Sequence, residues 1–256
     1  MKLNQLALEI YGVRDFTRDP KGLSDSLKKI REIGYTVVEC GKPCVPEAEL
    51  AKMLAGEGLR CCGYHGNFEL IRNKPEELIE ITRILGIDHM VCPYLPGFKW
   101  GDLAATEALV KDLDKAGALF RNAGVTLCYH NHATEFVRVG NTTMLDYIYS
   151  HTDPKYLQAE LDTYWVQFGG GNPAAWCKKL KNRLPLLHIK DYGFTVENKP
   201  LFEAIGSGNL DWHDIIPAAE AAGCQWFIVE QDTTIGDPFE AAASSFRFIT
   251  ENLINP

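Results

Sequence analysis

No stretch of this 256-residue chain approaches the ~20 consecutive apolar residues of a membrane-spanning helix, so a transmembrane segment is not expected. Positive charge is also scarce: 26 Lys and Arg stand against 34 Asp and Glu, a formal net charge of -8. Affinity for a phosphate backbone comes from Lys and Arg, so nucleic acid is not the expected partner. No basic-then-apolar leader opens the sequence. The cysteines Cys40, Cys44, Cys61, Cys62, Cys92, Cys128, Cys177 and Cys224 include no second pair to match Cys40-Gly-Lys-Pro-Cys44, which argues against a zinc ribbon. Several lie inside apolar strand-like runs, as buried free thiols in a reducing, cytoplasmic setting would. The first strand is not followed by Gly-x-Gly-x-x-Gly, which weakens a dinucleotide-binding open sheet. No linker, low-complexity stretch or composition break divides the chain, so a single domain over residues 1–256 is expected.

What the chain does have is alternation. Short apolar runs rich in Val, Ile, Leu, Cys and aromatics predict strands at Leu6–Ile10, Thr36–Cys40, Arg60–His65, His89–Cys92, Thr126–His130, Leu157–Leu161, Leu186–Lys190 and Trp226–Val229. Between them, apolar residues at three- and four-residue spacing predict helices. These fall at Leu23–Ile33, Pro46–Ala55, Pro75–Leu85, Thr106–Asn122, Thr142–Tyr149, Pro173–Leu180, Trp212–Ala222 and Pro238–Leu253. Glycine hands several helices to the next strand, as at Gly34, Gly86, Gly124 and Gly223. Regular β–α alternation implies parallel strands with right-handed crossovers. Eight such units fill about 250 residues as a closed (β/α)8 TIM barrel.

In such a barrel, function collects at the C-terminal ends of the strands. Those ends carry Glu9, Glu39, His65, His130-Asn131-His132, Glu135, Glu160, Asp162, His188, Lys190, Asp191, Glu230, Gln231 and Asp232. Ionisable groups in a barrel mouth are costly unless paired or metal-bound. Glu135, Asp162, His188 and Glu230 follow the fifth to eighth strands in order. Parallel neighbours lie about 4.8 Å apart, so four successive strand ends can converge on one point. Three carboxylates and an imidazole form a mostly oxygen site that suits one divalent metal ion, Mn²⁺, Mg²⁺ or Co²⁺, and admits Zn²⁺.

Six segments, taken in order, resemble the sugar phosphate isomerase/epimerase family of xylose isomerase-like barrels. They are Gly34-Tyr35-Thr36-Val37-Val38-Glu39, Tyr129-His130-Asn131-His132-Ala133-Thr134-Glu135-Phe136, Glu160-Leu161-Asp162-Thr163-Tyr164-Trp165, His188-Ile189-Lys190-Asp191, Gly206-Ser207-Gly208-Asn209-Leu210-Asp211-Trp212 and Val229-Glu230-Gln231-Asp232. The resemblance implies a metal held by Glu135, Asp162, His188 and Glu230. The chain departs from the family where relatives place the first Glu on the fifth strand, since His130 stands there. Either Glu135 folds back to the metal, which is the expectation adopted, or His130 or His132 replaces it.

The resemblance further implies isomerisation or epimerisation of a small sugar or keto sugar through a metal-stabilised cis-enediolate. Glu135 and Glu230 would move the proton and Lys190 would stabilise the developing charge. His65, His132, Trp100 and Glu39 are the expected substrate contacts. A dehydratase acting on an inosose-like cyclic ketone would begin with the same proton abstraction. A nuclease like endonuclease IV would need a basic cleft and more histidines than the seven present. Barrels of this family often pair, so a homodimer is the expected assembly.

Overall fold

Each strand candidate forms a strand, and the strands close on one another. In the computed structural model, which describes residues 1–254, they are β1 (Leu6–Glu9), β2 (Val37–Cys40), β3 (Arg60–His65), β4 (His89–Cys92), β5 (Thr126–His130), β6 (Leu157–Asp162), β7 (Leu186–Ile189) and β8 (Trp226–Val229). All neighbours pair in parallel and β1 pairs with both β2 and β8, which completes a closed (β/α)8 TIM barrel.

The surrounding helices are α1 (Pro20–Ile33), α2 (Glu47–Gly56), α3 (Phe68–Asn73), α4 (Pro75–Leu85), α5 (Leu103–Asn122), α6 (Met144–His151), α7 (Thr163–Phe168), α8 (Pro173–Lys179), α9 (Trp212–Ala222) and α10 (Pro238–Asn252). Their starts follow local chemistry. Asp19, Asp102, Asn172 and Asp237 each accept a backbone N–H of the first turn, which satisfies a donor the helix leaves free. Gly86 and Gly223 end α4 and α9 at φ 67° and 96°, a left-handed turn that costs glycine little. Helix α6 starts later than predicted. Thr142–Thr143 pairs with Arg138–Val139 in a small hairpin, and the Thr143 hydroxyl then caps the helix. The short helices α3 and α7 escape the sequence reading. Each starts from a capping side chain, Asn67 and Asp162 respectively.

Two apolar layers hold the barrel. The larger lies between strands and helices. The smaller plugs the lumen with one side chain from each of seven strands: Ala7, Val37, Cys62, Val91, Cys128, Leu186 and Ile228. Successive strand residues face opposite ways, so the residue two positions on faces the same side. Above the plug that rule places Glu9, Glu39, His130, His188 and Glu230 in the lumen, all buried. Between β2 and β3 the pairing register shifts at Val38 and Glu39, which brings Gly63 opposite Glu39 and delays the lumen residue of β3 to His65. Among the described residues all eight cysteines are free, and no helix is long and apolar enough to cross a membrane.

Candidate metal centre

The last four strands meet at the top of the lumen. Asp162 ends β6 and caps α7, its Oδ1 accepting the Trp165 N–H at 2.9 Å. That bond fixes the carboxylate and turns Oδ2 inward, toward Lys190 and His130. His188 on β7 sets Nδ1 2.9 Å from Glu230 Oε2. His130 at the end of β5 brings Nε2 to 3.8 Å from Asp162 Oδ2. One donor atom from each of His130, Asp162, His188 and Glu230 lies within 4.8 Å of the others, and all four residues are buried. Lys190 stands among the same carboxylates. Its Nζ is 2.7 Å from Glu230 Oε2, 2.9 Å from Asp162 Oδ2 and 3.2 Å from Asp232 Oδ1.

Beneath this group lies a second ring of charge. Glu160 Oε2 is 2.9 Å from both His65 Nε2 and His130 Nδ1. Glu39 Oε2 is 2.6 Å from His188 Nε2 and 3.3 Å from His65 Nε2. The other oxygens, Glu39 Oε1 and Glu160 Oε1, are buried without a partner.

The electrostatics follow from burial set against these contacts. Burial disfavours charge on His188, but Glu160, Glu230 and Glu39 outweigh it and hold the imidazole well above its usual pKa. Burial, aided by His188 and His132, pushes His130 well below its usual value, which leaves it neutral with a lone pair to offer. Burial opposes the Glu230 charge too, yet Lys190 and His188 hold that carboxyl well below its usual range. Asp232, half-buried and beside Glu230, is pushed up to about 7 against the pull of Lys190.

Above the ionisable groups opens a cavity of about 790 Å³ whose floor includes His65, His130, His132, Lys190 and Glu230, with Tyr94, Trp165 and Phe202 on its walls. Of the sequence-predicted site residues, Asp162, His188, Glu230 and Lys190 come together, and His65 and His132 face the cavity. Three do not behave as expected. Glu135 is absent from the cluster. It follows the outward face of Tyr129, in a short 3-10 turn, and accepts bonds from Tyr129 Oη at 2.8 Å, His132 N at 2.9 Å and Thr134 Oγ1 at 3.1 Å. His130 stands in its place. Trp100 packs edge-on against Phe98 with ring centroids 5.1 Å apart and lies outside the cavity lining. Glu39 is fully buried beneath His188, below the reach of a substrate.

Sequence reasoning passed over Glu160 as part of the centre. The two-residue period from Asp162 puts it on the same inward face and was the available signal. The donor set fits a divalent cation. Two imidazoles and two carboxylates converge in a buried cluster, and an ammonium already lies against both carboxylates.

Comparison with known proteins agrees with this architecture. Residues 27–252 match the family model described as xylose isomerase-like TIM barrel. An inosose dehydratase from Geobacillus thermodenitrificans is 30% identical over 162 residues, 57% of this chain and 54% of that protein. The match thus spans about half the length of that curated relative. A sugar phosphate isomerase/epimerase from Parabacteroides distasonis superposes with a TM-score of 0.83 at 23% identity, covering 97% of this chain and 94% of that one. A xylose isomerase-like TIM barrel protein from Mycobacterium smegmatis, solved in complex with magnesium, superposes with a TM-score of 0.77 at 16% identity, covering 98% and 97%.

Proposed function

Because the chain belongs to the xylose isomerase-like TIM barrel family, we propose that it is a metal-dependent enzyme that removes a proton from the carbon beside the carbonyl of a small keto sugar or cyclic ketone. The observation that carries this reading is the convergence of His130, Asp162, His188 and Glu230, with Lys190 among them, at the base of a sugar-sized cavity. Those four residues are the proposed ligands. Two nitrogens in the set favour Mn²⁺, Co²⁺ or Zn²⁺ over Mg²⁺, which prefers an oxygen shell. When bound, such an ion supplies Lewis acidity toward the carbonyl and offsets the negative charge that enolisation builds on oxygen.

The protein groups do the rest. Glu230 is held ionised by Lys190 and His188 and faces the cavity, so it is the carboxylate to accept the proton. The Lys190 ammonium lies where it can donate to the oxygen that gains charge. Tyr94, Trp165 and Phe202 offer aromatic walls to the apolar face of a ring and exclude water. Trp165 Nε1 and His132 Nδ1 are buried without partners, and both residues line the cavity, so a substrate hydroxyl would satisfy them.

The same first step serves an isomerase, an epimerase or a dehydratase. Two observations favour loss of water. Epimerisation calls for a second carboxylate on the opposite face of the carbon, and the expected one, Glu135, is sequestered. The relative matched over about half its length carries the name inosose dehydratase. The deciding experiment incubates metal-loaded protein with keto sugars and cyclic ketones in D₂O and follows the products by mass spectrometry. Deuterium at the carbon beside the carbonyl supports enolisation, and a product lighter by one water selects the dehydratase. No exchange and no product over a broad panel, with metal bound, would overturn the proposal.

A further inference from the structure

Each imidazole of the proposed ligand set turns one nitrogen toward the carboxylates of the set and the other onto a carboxylate outside it. His130 presents Nε2 to Asp162 and lays Nδ1 2.9 Å from Glu160 Oε2. His188 presents Nδ1 to Glu230 and lays Nε2 2.6 Å from Glu39 Oε2. Glu39 and Glu160 are fully buried and outside the cavity lining, so neither contacts substrate. His65 Nε2 lies 2.9 Å from Glu160 Oε2 and 3.3 Å from Glu39 Oε2, which ties the two carboxylates together.

We propose that Glu160 and Glu39 are positioning residues for the metal, each fixing the ring orientation and tautomer of one histidine ligand, with His65 as the clasp between them. The assignment rests on the ligand reading above. A carboxylate that accepts the N–H of one ring nitrogen leaves the opposite nitrogen to the metal, which at His188 would take the place of the Nδ1 proton, and makes that nitrogen a better donor. The metal-facing nitrogens are therefore different in the two rings: Nε2 for His130 and Nδ1 for His188. The backbone is shaped for this. A Cβ at Gly63 would collide with Glu39 Oε1, so only glycine at that register leaves room for the carboxylate.

Two measurements test this, neither relying on turnover. In the zinc-loaded protein with ¹⁵N-labelled histidine, imidazole nitrogen shifts report which nitrogen holds the metal. Nε2 of His130 and Nδ1 of His188 are expected, and the reverse in either ring overturns the assignment. This arm needs no substitution of a buried residue. The second arm measures Zn²⁺ affinity by competition with a chelating dye, in variants shown to melt cooperatively. Glu160→Gln and Glu39→Gln are each expected to weaken binding roughly 10- to 100-fold. In a His130→Ala background Glu160→Gln should cost clearly less, what remains coming from its 3.4 Å approach to His188 Nε2, whereas Glu39→Gln should keep its cost. A purely structural role for Glu160 would show the same loss in both backgrounds and overturn the assignment. Wild-type affinity in both single variants would also overturn it while leaving the ligand set standing. Two zinc ions in the wild type, one of them lost in His65→Ala, would overturn it by making the lower ring a second site. A wild-type protein that binds no zinc would overturn the ligand set itself, and this assignment with it.

Discussion

The lumen of the barrel is two regions of opposite character set one side-chain layer apart. Below sit Ala7, Val37, Cys128, Leu186 and Ile228, all buried and apolar. Two residues further along the same strands sit Glu9, Glu39, His130, His188 and Glu230, also buried and all ionisable. The strands are the same and the burial is the same. What differs is how the layer satisfies itself. The lower layer needs only shape, since close packing and removal from water stabilise it. The upper layer removes carboxylates and imidazoles from water, a large cost that only mutual pairing or a bound cation offsets. A protein does not keep so many charged groups in a barrel for stability, because well-packed apolar residues do as well or better there. The upper layer is where function is to be sought, and the contrast can be broken from either side.

The largest effect is expected from removing a shared group of the upper layer. His188 touches both the proposed ligands and the lower carboxylate ring. His188→Ala should weaken divalent-metal binding by more than the roughly 100-fold ceiling of an outer-shell change and abolish turnover. Chelator competition and a substrate assay check it. Retained affinity would show that the cation lies elsewhere.

The lower layer should answer in stability alone. Ile228 is fully buried in the plug. Ile228→Ala leaves a cavity and should cost about 2–5 kcal/mol, read as a lowered denaturation midpoint. Metal affinity should stay within a factor of two. A matching loss of affinity would mean that the two layers are mechanically one.

The boundary between the layers is narrower than either. Gly63 faces Glu39 at the β3 register shift, and an added Cβ would meet the carboxylate. Gly63→Ala should cost about 1–3 kcal/mol in overpacking. Because the displaced group is Glu39, affinity should fall with it, which Ile228→Ala does not predict. A loss of stability with unchanged affinity would separate Glu39 from the metal.

The contrast between layers also explains what was legible in the sequence. Strands were easy because both faces are buried, so each reads as a short apolar run bounded by turn residues. Their number and order then dictated closure. The convergence of Asp162, His188, Glu230 and Lys190 was legible because they sit at strand ends, where the period of two fixes direction. The misreadings lie where that period stops. Glu135 is five residues past His130, beyond the strand, and nothing in its spacing reveals that the turn carries it to the Tyr129 side. Trp100 lies in an irregular loop whose aromatics pack on one another. Glu160 was within reach, two residues before Asp162 on the inward face, but a strand end draws attention to its last charge. The proposed donor set also differs in character from the expected one: with His130 in the cluster in place of Glu135 it has a second nitrogen, which the loop alone did not reveal.

The smallest effect tests that correction. Glu135 lies outside the charged layer, and its burial pushes the carboxyl up to about 7 even though Tyr129, the His132 amide and Thr134 bond to it. The folded state therefore holds this proton more tightly than the unfolded chain, whose value is near 4.5. The stability tied to that proton is fully present below pH 4.5 and is lost as the pH rises through about 7. Glu135→Gln cannot titrate. The wild type should thus lose melting temperature relative to the variant between pH 5 and pH 8, by a few degrees for a protein of this size. At pH 5, where the wild-type acid is largely neutral, the two should melt within a degree or two of each other. Metal affinity should be unchanged throughout, because no oxygen of Glu135 reaches the cluster. A tenfold loss of affinity in Glu135→Gln would restore Glu135 as a ligand and make the loop, with the strand end at His130, the source of the fourth donor.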